Sequence, residues 1–147
     1  MKTIGIVADH AGYELKGKVC DMLLDMGYAV RDFGTHTTDS VDYPDLAHPF
    51  AKAVAMKVVD LGVAVCGTGN GMAITLNKHP LVRAGLAWNA EIAALIRQHN
   101  DANVCALPAR FITDDEAIAA VTAFVTASFE GGRHTERVRK IAKGFEK

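Results

Sequence analysis

Strands alternate with helices along this chain of 147 residues, and the alternation predicts a three-layer, doubly wound (Rossmann-like) α/β fold with a five-stranded parallel sheet. The strand segments are short and apolar, as expected for strands covered on both faces. Hydrophobic residues make up 50% of the chain, which is enough for one well-buried core. The length is too short for two ordinary domains, so residues 1–147 are predicted to form a single domain.

The first half of the chain is predicted to contain three strands separated by two helices. Apolar residues between positions 15 and 26 repeat at helical spacing, and Gly27 ends that helix. A turn at residues 42–45 precedes the second helix, and Pro49 is placed in its first turn, where proline is best tolerated. In order, the elements are a strand at Ile4–Ala8, a helix at Leu15–Met26, a strand at Tyr28–Phe33, a helix at Phe50–Val59 and a strand at Val63–Cys66.

The second half continues the alternation with two strands and four helices. Thr113 and Glu116 have the spacing of a capping box, which marks the start of a long alanine-rich helix. A diglycine at positions 131 and 132 separates that helix from a basic one at the carboxyl terminus. The elements are a short helix at Met72–Asn77, a strand at Ala84–Trp88, a helix at Ala90–Gln98, a strand at Val104–Leu107, the helix after Thr113 and a helix over about residues 133–145.

Composition argues against several classes of function. The formal charge is −1, with basic and acidic residues mixed, so we expect no binding of nucleic acid and no basic arm for a membrane surface. The cysteines, Cys20, Cys66 and Cys105, indicate neither a disulfide framework nor a zinc knuckle, and they fit a reducing cytoplasm. We expect no leader segment after Met1 and no membrane span, because no apolar stretch is long enough.

The most informative segment, residues 61–72, joins the third strand to a glycine-rich turn. Cys66 ends the strand and is expected at the carboxyl edge of the sheet, where open α/β folds bind their ligands. Gly67, Gly69 and Gly71 let the backbone turn tightly and leave its N–H groups uncovered. A helix that begins there would favour an anion, including a thiolate. The segment therefore predicts a nucleophile or base beside an oxyanion site.

Two nucleotide-binding motifs do not fit this turn. In a dinucleotide fingerprint counted from Gly67, Met72 stands where the third small residue belongs. A Walker-type phosphate loop fails as well, because no Gly-Lys-Ser/Thr follows. Two interpretations remain open, namely a small anion-binding turn led by a thiol and a plain strand-to-helix turn with a buried cysteine.

Two other segments carry polar side chains to the edges of the sheet. Asp9 and His10 follow the first strand and are expected beside Cys66, where Asp9 could bind hydroxyl groups or act as the N-cap of the first helix. Residues 97–101 lie between a helix and the fifth strand, at the opposite edge. His99 could therefore reach a catalytic site more easily across a dimer interface, or it could only interact with its helix dipole.

The start of the last helix has the composition of a phosphate clamp. Arg133, His134 and Arg137 occupy neighbouring positions on the helix surface, and guanidinium groups bind phosphate oxygens in pairs. The alternative is a solvated charged face paired with Glu136. No grouping of His, Cys, Asp or Glu has the spacing of a metal site, so neither a metal nor another cofactor is predicted.

Five segments carry these features in a fixed order along the chain. They are Asp9-His10-Ala11-Gly12, Asp42-Tyr43-Pro44, Cys66-Gly67-Thr68-Gly69-Asn70-Gly71, Arg97-Gln98-His99-Asn100-Asp101, and Glu130-Gly131-Gly132-Arg133-His134 with Arg137. Together they resemble the ribose-5-phosphate isomerase B family, from about Ile4 to Ile141. The resemblance implies interconversion of ribose 5-phosphate and ribulose 5-phosphate through an enediolate, without a metal. It also implies a homodimer whose sites draw residues from both subunits, and it leaves open whether dimers pair into tetramers.

The resemblance further implies roles for single residues. Cys66 is the base that moves a proton between C1 and C2, Thr68 relays a proton between the two oxygens, and His99 from the partner subunit assists opening of the furanose ring. The remaining implied ligands are the turn amides of Gly67, Gly69, Asn70 and Gly71 for the enediolate, Asp9, Tyr43 and Asn100 for hydroxyl groups, and His10, Arg110, Arg133, His134 and Arg137 for the phosphate.

The choice of base and of substrate depends on three further points. Some members of the family carry a glutamate directly after the glycine turn, where this chain has Met72, so Cys66 is the only candidate base in this loop. Relatives of the fold act on six-carbon phosphates such as allose or galactose 6-phosphate, or on four-carbon ones, and the sequence does not determine the length of the sugar. A noncatalytic phosphosugar-binding module is another alternative, although such a module needs neither Cys66 nor His99.

Overall fold

Five parallel strands form one sheet, in the order β2-β1-β3-β5-β4. The structure, a computed structural model, describes residues 1–145. The strands are β1 (Thr3–Ala8), β2 (Ala29–Asp32), β3 (Leu61–Cys66), β4 (Ala84–Leu86) and β5 (Val104–Pro108). The helices are α1 (Tyr13–Asp25), α2 (Tyr43–Ala55), α3 (Asn70–Leu76), α4 (Ala90–Asn100), α5 (Asp114–Thr126) and α6 (Arg133–Ile141), with short 3-10 turns at His10–Gly12 and Lys143–Phe145.

Two apolar clusters cover the two faces of the sheet. On one face, α1, α4 and α5 contribute buried side chains such as Val19 and Phe124. On the other face, α2 and α3 contribute side chains such as Phe50 and Met72. The sheet and its two helical layers confirm the predicted three-layer α/β fold. Within the described residues, no helix combines the length and the apolar character that crossing a bilayer requires.

The reversal of strand order between β1 and β3 positions the site. From β1 the chain first adds β2 on one side and then returns to place β3 on the other side of β1. Open α/β sheets bind ligands at such a switch point, outside the carboxyl ends of the strands. Asp9 directly follows β1 and Cys66 ends β3, and the Asp9 N–H donates to the Val65 carbonyl at 3.1 Å. The two predicted site residues therefore flank the switch point.

The second helix differs most from its prediction. α2 begins at Tyr43, well before the predicted start at Phe50, and ends at Ala55. Pro44 occupies the first turn, and Pro49 lies inside the helix, so the placement of Pro49 in the first turn is wrong. An interior proline removes one helical hydrogen bond. Burial of the apolar face of α2 on the sheet, with Phe50 fully enclosed, compensates for that loss.

The other boundaries lie close to their predictions. β4, at the edge of the sheet, ends at Leu86 and is shorter than the predicted strand. The last helix ends at Ile141 and is followed by the 3-10 turn, rather than running to position 145. The capping box is confirmed, because Thr113 and Glu116 exchange side-chain to backbone hydrogen bonds of 2.9 and 3.1 Å. The prediction of one domain over 1–147 includes residues 146 and 147, which lie outside the described residues.

Candidate active site

A cleft of about 620 Å³ opens at the carboxyl edge of the sheet, and we call it the carboxyl-edge cleft. It is lined by Asp9, His10, Ala11, Val41, Asp42, Tyr43, Pro44, Asp45, Gly67 and Arg110. Half of these lining residues belong to the site predicted from the sequence, and they come from four separate segments of the chain. The loop ends of β1, β3 and β5 and the start of α2 meet here because the strands are parallel.

The glycine turn is tightly packed between β3 and α3. Gly69 has a φ of +76°, in the left-handed region that favours glycine, and an added Cβ would lie 2.4 Å from Leu86. The Thr68 hydroxyl accepts the N–H of Asn70 at 3.2 Å. The Thr68 hydroxyl therefore lies among the backbone amides of the turn, and one of those amides is already engaged by it.

Two side chains of the carboxyl-edge cleft pack directly on the glycine turn. A Cβ on Gly71 would lie 2.6 Å from the Tyr43 ring, so the ring rests on the bare backbone. A Cβ on Gly67 would lie 3.3 Å from the Arg110 guanidinium, and the Arg110 N–H donates to the Gly67 carbonyl at 3.0 Å. Arg110 therefore packs on the Cys66 turn of its own chain. The sequence did not show whether Arg110 reaches its own site or that of a neighbouring subunit.

Replacing Gly71 by alanine should displace the Tyr43 ring and reduce the free energy of unfolding by about 1–3 kcal/mol, the usual cost of overpacking. Gly17, in α1, is the matched control because a Cβ there meets nothing within 4 Å. Gly17→Ala should be stabilising by about 0.5–1 kcal/mol. Chemical denaturation of the two variants measures both effects, and equal stability of the two proteins would contradict the contact.

Cys66 is not among the residues that line the carboxyl-edge cleft, but it directly precedes Gly67, which is. Cys66 is 4% exposed and belongs to the apolar cluster that includes Val7 and Met72. The cysteines are free thiols. Burial raises the pKa of Cys20 to about 11 and the pKa of Cys105 to about 12, so both stay protonated at neutral pH. Of the three cysteines, Cys66 is the one next to the cleft-lining Gly67.

Asp9 and His10 combine structural and binding features. The Asp9 carboxylate accepts the Gly12 N–H at 3.1 Å and caps the 3-10 turn at His10–Gly12, whereas the N-cap of α1 itself is Gly12. Asp9 also lines the cleft. The His10 Nδ1 atom accepts the N–H of Val41 at 3.3 Å. A neutral His10 ring then carries its proton on Nε2 and can act as a hydrogen-bond donor there.

Sequence reasoning missed a buried lysine that anchors the loop leading to Val41. The side chain of Lys16 is 4% exposed, and Nζ donates to both carboxylate oxygens of Asp32, at 2.8 and 2.9 Å, and to the Thr35 carbonyl at 2.6 Å. A buried amine is tolerated when it is paired in this way. Its only sequence signal was a lysine on the apolar face of α1.

A second cleft, of about 530 Å³, lies where α6 packs on the end of α4, and we call it the α6 cleft. It is lined by His99, Asn100, Arg133, His134, Arg137, Val138 and Ile141. The rings of His99 and His134 are stacked, with centroids 4.4 Å apart and planes inclined by 13°. Desolvation, followed by the positive charge of neighbouring groups, lowers the pKa of His134 below its usual value. The predicted phosphate clamp and His99 thus occupy one surface.

The arginines of the α6 cleft are available to a ligand. Glu136 pairs with Arg139, with a shortest contact of 2.7 Å, and both side chains are exposed. The solvated charged face paired with Glu136 thus exists, but its basic partner is Arg139 rather than Arg133 or Arg137. Among residues 1–145, Arg133 and Arg137 form no ion pair. The two guanidinium groups and two imidazoles make this cleft suitable for a phosphate.

Packing also produces a grouping that spacing in the sequence did not reveal. Ligand atoms of His99, Glu130 and His134 all lie within 4.8 Å of one another, and the His99 Nε2 atom is 3.3 Å from Glu130. By distance alone the three side chains could hold a metal ion. The guanidinium groups of Arg133 and Arg137, which line the same cleft, disfavour a cation there, whereas the Glu130 carboxylate favours one.

The two clefts lie at opposite edges of the sheet. Arg110 follows the carboxyl end of β5, whereas Asn100 precedes its amino end. The five residues of β5 span roughly 16 Å at about 3.3 Å per residue. The structure therefore brings the predicted site residues together in two groups, and a single small substrate does not contact both groups of one chain.

Comparisons with known proteins identify relatives over nearly the whole chain. A family model described as Ribose/Galactose Isomerase matches residues 4–141. The chain is 41% identical over 141 residues to ribose-5-phosphate isomerase B of Escherichia coli, covering 96% of this chain and 95% of that one. The solved ribose-5-phosphate isomerase B of Clostridium thermocellum superposes with a TM-score of 0.96 at 45% identity, covering 98% and 97% of the two chains. That of Mycoplasma genitalium with bound ribulose-5-phosphate superposes with a TM-score of 0.94 at 41% identity, covering 99% and 97%.

Proposed function

This chain belongs to the ribose/galactose isomerase family, and we propose that it interconverts ribose 5-phosphate and ribulose 5-phosphate as an aldose-ketose isomerase. One observation carries the proposal. The chain matches, in sequence and in fold over almost its full length, a relative solved with ribulose-5-phosphate bound. A thiol beside a glycine turn, and an arginine and histidine cleft for a phosphate, are the chemical groups that this reaction needs.

The proposed proton transfer takes place at the glycine turn. Cys66, as thiolate, removes the proton from C2 of the open aldose, and the electrons of that C–H bond form the C1–C2 double bond of an enediolate. Amides of the glycine turn other than that of Asn70, which donates to Thr68, stabilise the charge that develops on the oxygens. Thr68 moves a proton from O2 to O1, a carbonyl forms at C2, and the proton held by Cys66 is delivered to C1. The reaction needs no cofactor.

We propose that each complete site combines the carboxyl-edge cleft of one subunit with the α6 cleft of its partner in a homodimer. The separation of the two clefts within one chain supports this arrangement. Exposed apolar side chains lie at both clefts, as expected of surfaces that contact a partner. Phe111 is 74% exposed beside Arg110, and Ile141 is 54% exposed in the α6 cleft. Light scattering distinguishes a dimer from a tetramer. The free cysteines support a reducing cytoplasm as the place of the reaction.

His99→Asn should reduce turnover of ribose 5-phosphate by about 10²-fold, because His99 is proposed to assist opening of the furanose ring. The 4-deoxy analogue of ribose 5-phosphate lacks the hydroxyl group that closes this ring. Turnover of the analogue by His99→Asn should therefore stay close to that of the unmodified protein. Steady-state kinetics on both sugars test the role, and equal losses on the two substrates would exclude it.

The proposed reaction is best tested by incubating the protein in D₂O with a panel of four-, five- and six-carbon aldose phosphates. Isomerisation with deuterium incorporation at C1 or C2, fastest with ribose 5-phosphate, is the expected result. Fastest exchange with a six-carbon phosphate would support the proposed type of reaction but identify a different substrate. The family description, which names galactose as well as ribose, is consistent with this alternative. Binding of these sugars without any exchange would instead indicate a noncatalytic phosphosugar-binding module.

A further inference from the structure

The last turn of α4 ends in an unusual residue. Asp101 caps the helix in the left-handed conformation, with φ 47° and ψ 41°, and its N–H donates to the Ile96 carbonyl. Helices that end in this way most often carry glycine at this position, whereas asparagine and aspartate are tolerated there but less common. The Asp101 carboxylate is not free at this position, because two arginine side chains bind it. Asp101 directly follows His99 and Asn100, the two residues of α4 that line the α6 cleft.

Two arginines bind Asp101, one at each oxygen of its carboxylate. The Arg97 Nη1 atom donates to the Asp101 carboxylate at 2.9 Å and to the Ala102 carbonyl at 2.7 Å. The Arg83 Nε atom donates to the Asp101 carbonyl at 2.8 Å, and its Nη2 atom lies 3.3 Å from the second carboxylate oxygen. The Arg97 side chain is only 15% exposed, so the pair is partly shielded from solvent. One carboxylate thus joins the end of α4 to the residue that precedes β4.

The Arg97–Asp101 ion pair spans the two residues of α4 that line the α6 cleft. Arg97 and Asp101 are one helical turn apart, and His99 and Asn100 lie between them. The backbone of Arg83 is held by a contact outside α4, because its N–H donates to the Asn103 side chain at 2.7 Å. Rotation or fraying of the last turn of α4 would break these contacts. The arrangement therefore limits the positions available to both imidazole and amide.

We propose that Asp101, held between Arg83 and Arg97, is a positioning residue that fixes His99 and Asn100 for the active site of the partner subunit. This inference rests on the function proposed above. It assigns to the Arg-to-Asp network a role in the ring-opening step, beyond stabilisation of the helix end. A loosened His99 should affect cyclic substrates most, since only they need the ring to open.

Asp101→Gly tests the proposal, because glycine adopts the left-handed conformation without strain and removes only the carboxylate. Its kcat/KM for ribose 5-phosphate should fall by about 10- to 100-fold, a typical effect of misplacing a catalytic group. Its kcat/KM for the 4-deoxy analogue should change much less. Asp101→Asn, which also tolerates this conformation, should behave in the same way. Asp60→Asn, a charge change at the same edge of the sheet, should leave both values unaltered.

The possible outcomes separate the two proposals. Thermal unfolding and light scattering identify which Asp101 variants are folded and assembled, and the kinetic ratio is taken from those. Unchanged turnover of ribose 5-phosphate, or an equal loss on both sugars, would overturn the positioning role while leaving the isomerase function intact. Absence of turnover by the unmodified protein would overturn the proposed function and this inference with it. Failure of both Asp101 variants to fold would show a structural role and also contradict the inference.

Discussion

Cys66→Ala is expected to lower kcat for ribose 5-phosphate by about 10²- to 10⁴-fold, the usual contribution of a positioned proton-transfer group. The substitution removes one small buried atom, so the variant should remain folded. Met72 occupies the position directly after the turn and offers no carboxylate that could replace the thiol. Stopped assays of ribulose 5-phosphate formation measure the loss of kcat. Circular dichroism on the same samples measures the fraction of the variant that is folded.

Cys20→Ala is the matched control, because Cys20 lies in α1 and burial raises the pKa of its thiol to about 11. This control should retain full activity. Loss of proton exchange into C2 in the Cys66 variant would locate the defect in the chemical step rather than in binding. Near-normal turnover by Cys66→Ala would remove the thiol from the mechanism.

Mixing two inactive variants should restore activity if each site is built from two subunits. In a dimer of one Cys66→Ala chain and one His99→Asn chain, one site carries both lesions and the other site carries neither. Random pairing of equal amounts makes half of the dimers mixed, so recovery should approach about a quarter of the unmodified activity. The measurement is the turnover of ribose 5-phosphate after the two proteins are unfolded and refolded together.

A second mixture provides the control for this experiment. Arg110 packs on the Cys66 turn of its own chain, so lesions at Cys66 and Arg110 affect the same half of each site. A mixed dimer of Cys66→Ala and Arg110→Ala therefore contains no intact site and should show no recovery. Recovery in this mixture as well, or in neither mixture, would be incompatible with the proposed sharing of sites.

The strands and the carboxyl-edge cleft could be predicted because their signals are local. Each strand is a short apolar run, and Asp9 and Cys66 stand directly at strand ends that parallel pairing brings to one edge. The start of α2 could not be located in the same way. Pro49 resembles a helix start when the chain is considered alone, whereas burial of the neighbouring Phe50 keeps that proline inside a longer helix.

Contacts between distant segments could not be predicted from spacing. The stacking of His99 on His134 arises because α6 folds back on the end of α4. Lys16 finds its partners in the segment that follows β2. The sequence also left open whether Arg110 reaches its own site or that of a neighbour, and its packing on Gly67 could not be inferred. The Arg110 side chain lies against the glycine turn of its own chain. In each case the determining factor is packing between elements, which local patterns do not encode.

The placement of the two clefts at opposite edges of one sheet also affects how such a protein can evolve. After a gene duplication, one copy could lose the residues of its carboxyl-edge cleft and the other copy those of its α6 cleft. A mixed pair would keep one working site, as in the mixing experiment, while neither copy would act alone. A site divided between subunits as proposed would offer a direct route from a homodimer to an obligate heteromer, in which one surface of each copy becomes free to acquire a different ligand.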